Sequence, residues 1–156
     1  MERKNDLMKI LGYSSYSNEE QYQNVLRAFR AISETTERVQ NRNEYGTGLE
    51  TLLIFYNFEA VPDEFAETDF LQRKFEVQRY NSKEKSLRIN VFVGYDELTN
   101  RSYEEQTTFY YNTTMHAIEL VKERFVKRRR SGVDIDFKKL HQDIKRGFLE
   151  TFHWLK

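Results

Sequence analysis

The side chains in this sequence that could do chemistry are three histidines, several paired carboxylates and two charge runs. His116, His141 and His153 form no His-Glu-x-x-His or His-x-His spacing. Those patterns turn two imidazoles toward one metal ion; scattered histidines belong to helix surfaces and core edges. No Gly-x-Ser-x-Gly elbow is present to expose a nucleophile. Gly46-Thr47-Gly48 lacks the remaining glycines of a phosphate-cradling loop, and reads instead as backbone freedom for a turn from helix into strand. The absence of cysteine excludes disulfides, thiolate metal sites, iron–sulfur clusters and cysteine nucleophiles together. The pairs Asp63-Glu64, Asp96-Glu97 and Glu104-Glu105 remain. Acid–base catalysis needs two carboxylates converging in a cleft with separated pKa values, and adjacency in sequence does not provide that. The residues thus point to no enzyme, no metal and no cofactor, and to a surface that binds something.

The charge runs are opposite in sign. Within 59–69, Glu59, Asp63, Glu64, Glu67 and Asp69 occur with no base, and Phe65 and Phe70 lie at its centre and just beyond its end. Such a segment is commonly a solvated connection. As a functional element it would steer a basic partner electrostatically and anchor it with aromatics, as a nucleic-acid mimic or an active-site plug does. Asp96, Glu97, Glu104 and Glu105, with Tyr95 and Tyr103, form a second acidic group. A sheet that sets the two segments side by side would merge them. The expected partner contacts are Asp63, Glu64, Phe65, Glu67, Asp69, Tyr95, Asp96 and Glu97. The basic run is Lys122, Arg124, Lys127, Arg128, Arg129 and Arg130 against Glu123. Cations at a helix C-terminus complement its dipole. The alternative is nucleic-acid binding through Lys127, Arg128, Arg129 and Arg130, driven by counterion release. No helix-turn-helix or RNP-type pattern accompanies these bases, and four in a row spread around a helix.

The chain's 156 residues suit a single domain, 1–156, with a real core. Charged residues are 32% and the net charge is zero, which disfavours a protein that coats nucleic acid generally. Ten tyrosines beside twelve phenylalanines exceed what a core needs, because a buried hydroxyl wants a partner. The first residues lack an apolar signal region, and the longest apolar run, 52–56, is far short of a membrane span. A cytoplasmic protein with no membrane contact is expected.

Hydrophobic periodicity gives the elements. Residues 1–12 read as a short helix ended by Gly12. A capping box at Ser17 to Glu20 opens a helix fading near 43, with Tyr22, Val25, Leu26, Phe29 and Ile32 on one stripe. Residues 49–59, apolar on both parities, read as a central strand buried on both faces. Alternation at 75–78 and 87–93 gives a hairpin. Residues 95–111 are ambiguous: Ser102 to Glu105 fits a capping box, while the Thr- and Tyr-rich 105–111 favours an extended segment. A helix over 112–130 carries Met115, Ile118, Val121 and Phe125. Asp136 caps a last helix with the stripe Phe137, Leu140, Ile144, Phe148, Phe152 and Leu155. The expected class is α+β: a small antiparallel sheet of three or four strands packed with N-terminal and C-terminal helices.

A compact cysteine-free α+β chain with tyrosine-rich strands and acidic loops, reading His116-Ala117-Ile118-Glu119-Leu120-Val121-Lys122-Glu123-Arg124-Phe125 and then Asp136-Phe137-Lys138-Lys139-Leu140, resembles the immunity proteins of bacterial polymorphic or contact-dependent toxins. The resemblance implies one-to-one binding of a cognate toxin domain, occlusion of its active site and no catalysis. A homodimer through an edge strand or aromatic patch is also compatible with the sequence.

Overall fold

The computed structural model describes residues 7–13, 20–41, 44–58, 75–127 and 132–155. Its elements run β1 (Met8–Tyr13), α1 (Glu20–Val39), β2 (Gly46–Thr47), β3 (Thr51–Asn57), β4 (Phe75–Val77), β5 (Ser86–Phe92), α2 (Tyr95–Thr99), α3 (Tyr103–Lys127), β6 (Asp134–Ile135) and α4 (Phe137–Thr151). The class is α+β, but the sheet is mixed rather than antiparallel. Its order is β1-β3-β5-β4; β1–β3 and β3–β5 are parallel, and only β4–β5 is antiparallel. The hairpin and the central place of β3 follow the sequence. The parallel pairs do not, because the helical spacing in 1–12 hides the strand that becomes β1.

Two local expectations fail for identifiable reasons. Leu7, Ile10 and Leu11 have helical spacing, yet 8–13 is a strand: Met8 and Ile10 turn into the core while Leu11 is half exposed. Short apolar runs satisfy both periods, and here pairing with β3 decides. Residues 105–111 are helical within α3, not extended. The threonines that argued for a strand bond back along the helix instead: Thr107 Oγ1 donates to the Tyr103 carbonyl at 3.0 Å and Thr108 Oγ1 to that of Glu104 at 2.7 Å. The capping box does form, with Ser102 Oγ accepting from Glu105 N at 3.1 Å and Glu105 Oε1 from Ser102 N at 3.3 Å. Ser17 lies outside the described residues.

The helices cover one face of the sheet. Leu52, Ile54 and Tyr56 of β3 and Leu87, Ile89 and Val91 of β5 are buried there, with Val25, Ile32, Ile118, Val121, Leu140 and Ile144. An aromatic cluster packs the carboxyl end of β3: Phe29 meets Tyr56, Phe58 and Tyr110 edge-on, with centroids at 5.9, 5.6 and 5.8 Å.

A two-residue ladder, Gly46↔Ile135 and Thr47↔Asp134, ties the start of β3 to the start of α4. Gly46 sits at φ 123°, and a Cβ there would fall 2.0 Å from the Asp134 carbonyl oxygen, so only glycine fits. The Gly46-Thr47-Gly48 stretch is therefore a strand as well as a turn. Nearby, the buried Tyr45 hydroxyl donates to Asp143 Oδ2 at 2.6 Å and accepts from Asn41 N at 3.0 Å. Burial, and then the Asp143 carboxylate, hold this phenol well above the ordinary tyrosine range, so it stays a neutral donor. Asp136 caps α4 as expected, accepting from Lys139 N at 3.0 Å. Asp136→Ala leaves that amide unmet and should cost about 1 kcal/mol, lowering Tm by roughly 3 °C in a thermal melt.

The free edge of β1 is plugged. Alternate backbone groups of β1 point away from β3, and side chains of α1 and of the residue that follows it meet them. Gln40 Oε1 accepts from Met8 N at 2.8 Å while Gln40 Nε2 donates to Met8 O at 3.0 Å; Ser33 Oγ donates to Ile10 O at 3.2 Å. The amide of Gln40 acts as one residue of a missing strand, which guards the edge against pairing with another chain.

Candidate protein-binding surface

The carboxyl ends of β3 and β5 lie side by side. Asn57 is in register with Phe92, Val93 N donates to Asn57 O at 3.1 Å, and Tyr95 N donates to Phe58 O at 2.9 Å. β3 ends here at Asn57, and β4 begins at Phe75, in register with Val91. The segment after β5, with Asp96 and Glu97, leaves from the same end. The exits of the two acidic segments are thus neighbours, because β3 and β5 are adjacent and parallel.

The expected contact residues fall into four groups. Asp63, Glu64, Phe65, Glu67 and Asp69 lie outside the described residues. Tyr95 is buried, 7% exposed, so its ring packs in the core. Glu97 caps α2, Oε1 accepting from Gly94 N at 3.4 Å. Asp96 stands between them in the first turn of α2.

Of the basic run, Arg124 is used within the fold: its guanidinium donates to the Gln78 carbonyl at 2.9 Å, next to β4. Lys122 is exposed on α3 and Lys127 ends that helix, while Arg128, Arg129 and Arg130 lie outside the described residues. The histidines stay on helix surfaces and edges. His116 is exposed, His141 Nε2 stands 3.6 Å from Glu119 Oε1, and His153 lies against the Trp154 ring. Among the described residues no group of three metal-ligating side chains converges, and no helix is long and apolar enough to cross a membrane.

Sequence reading missed the second face of the sheet. Residues 49–59 looked buried on both sides, but burial along β3 alternates: Thr51, Leu53, Phe55 and Asn57 are only half-buried. With Lys9 and Leu11 of β1, Arg88 and Phe92 of β5 and Glu76 of β4 they form the side opposite the helices. Leu11 is 50% exposed. The Arg88 guanidinium carbon lies 4.2 Å from the centre of the Phe55 ring, its Nε donates to Asn90 Oδ1 at 2.7 Å, and Asn90 Nδ2 donates to Glu76 Oε1 at 2.9 Å. The alternation of Arg88 and Asn90 with Leu87, Ile89 and Val91 was the available signal for a wet face.

Comparison with known proteins agrees with a surface built for binding rather than catalysis. Residues 8–150 match the family model described as Immunity protein 44. No curated protein and no solved structure matches the chain. The match runs from the first residues of β1 almost to the end of α4, and so takes in the whole mixed sheet with its covering helices. The chain therefore belongs to the Immunity protein 44 family, a family of polymorphic-toxin immunity proteins that act without catalysis of their own.

Proposed function

We propose that this protein neutralises a cognate toxin by binding its toxic domain one to one and covering that domain's active site, and that the acidic segments at the carboxyl end of the sheet make the contact. The supporting observation is the adjacency of the β3 and β5 exits, joined by the Val93–Asn57 and Tyr95–Phe58 backbone bonds. In open sheets with parallel strands, ligands meet the carboxyl ends. The proposed contacts are Asp63, Glu64, Phe65, Glu67, Asp69 and Asp96. Tyr95 and Glu97 hold the base of the second segment through core packing and the α2 cap. Carboxylates set the encounter rate with a basic partner, and Phe65 supplies an apolar anchor. Family membership and the structural use of Arg124 both weigh against the nucleic-acid reading.

The test is co-expression with the toxin domain encoded beside the gene, together with a binding titration. Wild-type protein should protect the cells and form a stoichiometric complex. Reversing Asp63, Glu64, Glu67 and Asp69 to lysine should slow association at least about tenfold at low salt and invert its salt dependence. Unimpaired, equally salt-dependent binding by that variant sinks the acidic contact; failure of the wild type to protect or bind sinks the neutraliser itself.

A further inference from the structure

We propose that Arg27, Tyr103 and Trp154 form the aromatic anchor of the toxin contact, and that the anchor receives an apolar side chain of the toxin with a carboxylate beside it. The inference rests on the neutraliser reading and adds a part of the contact that the acidic segments do not supply.

Three separate stretches of chain build the anchor. α4 stops at Phe152, and Leu155 N donates to the Phe152 carbonyl at 3.0 Å to close a turn. Phe152 and Leu155 are buried and hold that turn to the core. His153, between them, is exposed, and Trp154 is half-buried. The Trp154 ring is set on two sides: Nε1 donates to the Thr107 hydroxyl at 3.0 Å, and the Tyr103 ring stands edge-on with centroids 5.8 Å apart. The Arg27 guanidinium carbon lies 4.7 Å from the centre of that same Tyr103 ring. Tyr103 is half-buried, and Arg27 is exposed on α1.

The chemistry of the three side chains suits a protein partner. Binding energy at protein interfaces concentrates in Trp, Tyr and Arg, which offer large rigid area together with a polar tip. Here the rings are held in place before a partner arrives, so little side-chain freedom is lost on binding. The one N–H of Trp154 is already met by Thr107, so an apolar group laid against the ring strands no donor. Arg27 differs. Among the described residues no carboxylate pairs with it, although the Tyr103 ring fixes its place. A planar fork held by an aromatic ring and lacking a counter-charge is preorganised for a carboxylate.

The place of the cluster in the fold ties it to the acidic contact. Gln40, just after α1, bonds to Met8 at the start of β1. Arg124, near the end of α3, bonds to Gln78, which is paired with Arg88 near the start of β5. Both helices therefore begin at the carboxyl end of the sheet, the end from which α2 and Asp96 depart. Tyr103 is the first residue of α3, and Arg27 stands in the second turn of α1. Tyr95 packs inward, so Tyr103 is the aromatic of the second acidic group that a partner can reach. A toxin drawn to the carboxylates by its own bases thus meets a cation, Arg27, at the same end. A uniformly basic surface is repelled there, and one with a carboxylate opposite Arg27 is accepted. Discrimination between toxins is the difference between those two energies.

Trp154 is the single tryptophan of the chain, so fluorotryptophan incorporation puts one fluorine in the anchor and none in an unlabelled toxin. The labelled protein is titrated with the toxin domain encoded beside the gene and followed by fluorine NMR, while calorimetry gives Kd for wild type, Arg27→Glu, Arg27→Ala and Arg27→Lys. Arg27 is exposed, so its replacement spares the core; circular dichroism melts verify folding. On binding, the resonance should move and lose its solvent-isotope shift. Arg27→Glu should weaken Kd about 100-fold, mainly through faster dissociation, and Arg27→Lys, which keeps the charge and loses the fork, about tenfold. In an alanine scan of the toxin's surface carboxylates, one should matter to wild type and have no further effect on Arg27→Ala. If wild type binds but the resonance stays in place, or folded Arg27→Glu binds equally well, or no toxin carboxylate couples to Arg27, the proposal is overturned while the neutraliser reading survives. A resonance that moves with the concentration of this protein alone makes a second copy the occupant and overturns it too. If wild type fails to bind, both fall together.

Discussion

Phe29→Ala should remove about 4 kcal/mol of folding stability, the largest loss expected from any single truncation discussed for this protein. Phe29 is 9% exposed and touches three aromatic rings at once, Tyr56, Phe58 and Tyr110. Its removal opens a cavity that rigid neighbours cannot close, and it forfeits the edge-to-face contacts as well. A domain of this size is stable by about 5–15 kcal/mol, so the change consumes a third or more of the margin. Tm should fall by roughly 10 °C, and the urea midpoint should move with little change in slope. Phe29→Leu, which keeps most of the volume, should cost about 1.5 kcal/mol. A loss below 1 kcal/mol for Phe29→Ala would show that the cluster does not support the sheet. Tyr56 and Phe58 also fix the end of β3, so under the proposed function toxin affinity should weaken as well.

Gly147→Ala should destabilise by about 2 kcal/mol, against the direction that helix propensity alone predicts. Gly147 is a buried position within α4. An exposed glycine there would gain about 1 kcal/mol on becoming alanine. A Cβ at 147, however, would stand 2.3 Å from Val39 Cγ1 and 2.8 Å from Val39 Cβ at the end of α1. Valine is branched and stiff, so it cannot swing aside, and the helices must part. Val39→Ala in the same chain should restore most of the loss, because the new methyl then fills the space of the old ones. A double-mutant cycle by chemical denaturation measures this directly, with a coupling of at least about 1.5 kcal/mol expected. Stabilisation by Gly147→Ala alone would mean that α1 and α4 do not approach this closely.

How far the sequence could be read depends on how local each signal is. The stripe from Val25 to Ile32, the Asp136 cap and the β4–β5 alternation are settled by neighbours within a few residues, and all three stand in the structure. The strand at Met8–Tyr13 could not be settled that way. Its pairing partner begins at Leu52, and nothing nearby separates a six-residue strand from a helical turn. The stretch Thr107 to Tyr111 misled for the opposite reason. Its β-branched and aromatic residues fit a strand in isolation, but helical carbonyls take up the threonine hydroxyls, and Phe109 and Tyr110 find Tyr56 across the core.

The candidate surface divides along the same line. That acidic groups existed was plain from the sequence; their merging was conditional on strand order, and while β3 and β5 are adjacent and parallel, the first group lies outside the described residues. The Arg88–Phe55 stack lay out of reach, because it requires knowing which face of β3 the helices cover. Tyr95 shows the converse: an aromatic in an acidic stretch looks like an anchor for a partner, yet it packs inward beneath α2.

The parallel sheet also bears on when protection can begin. Met8 pairs with Leu52, and Leu52 in turn with Leu87, so the three parallel strands are complete only once the chain has left the ribosome through Phe92, past its midpoint. Contacts of such long range make folding slow compared with a helical bundle. Gln40 and Ser33, filling the outer edge of β1, close one route by which a partly assembled sheet could pair with a second chain.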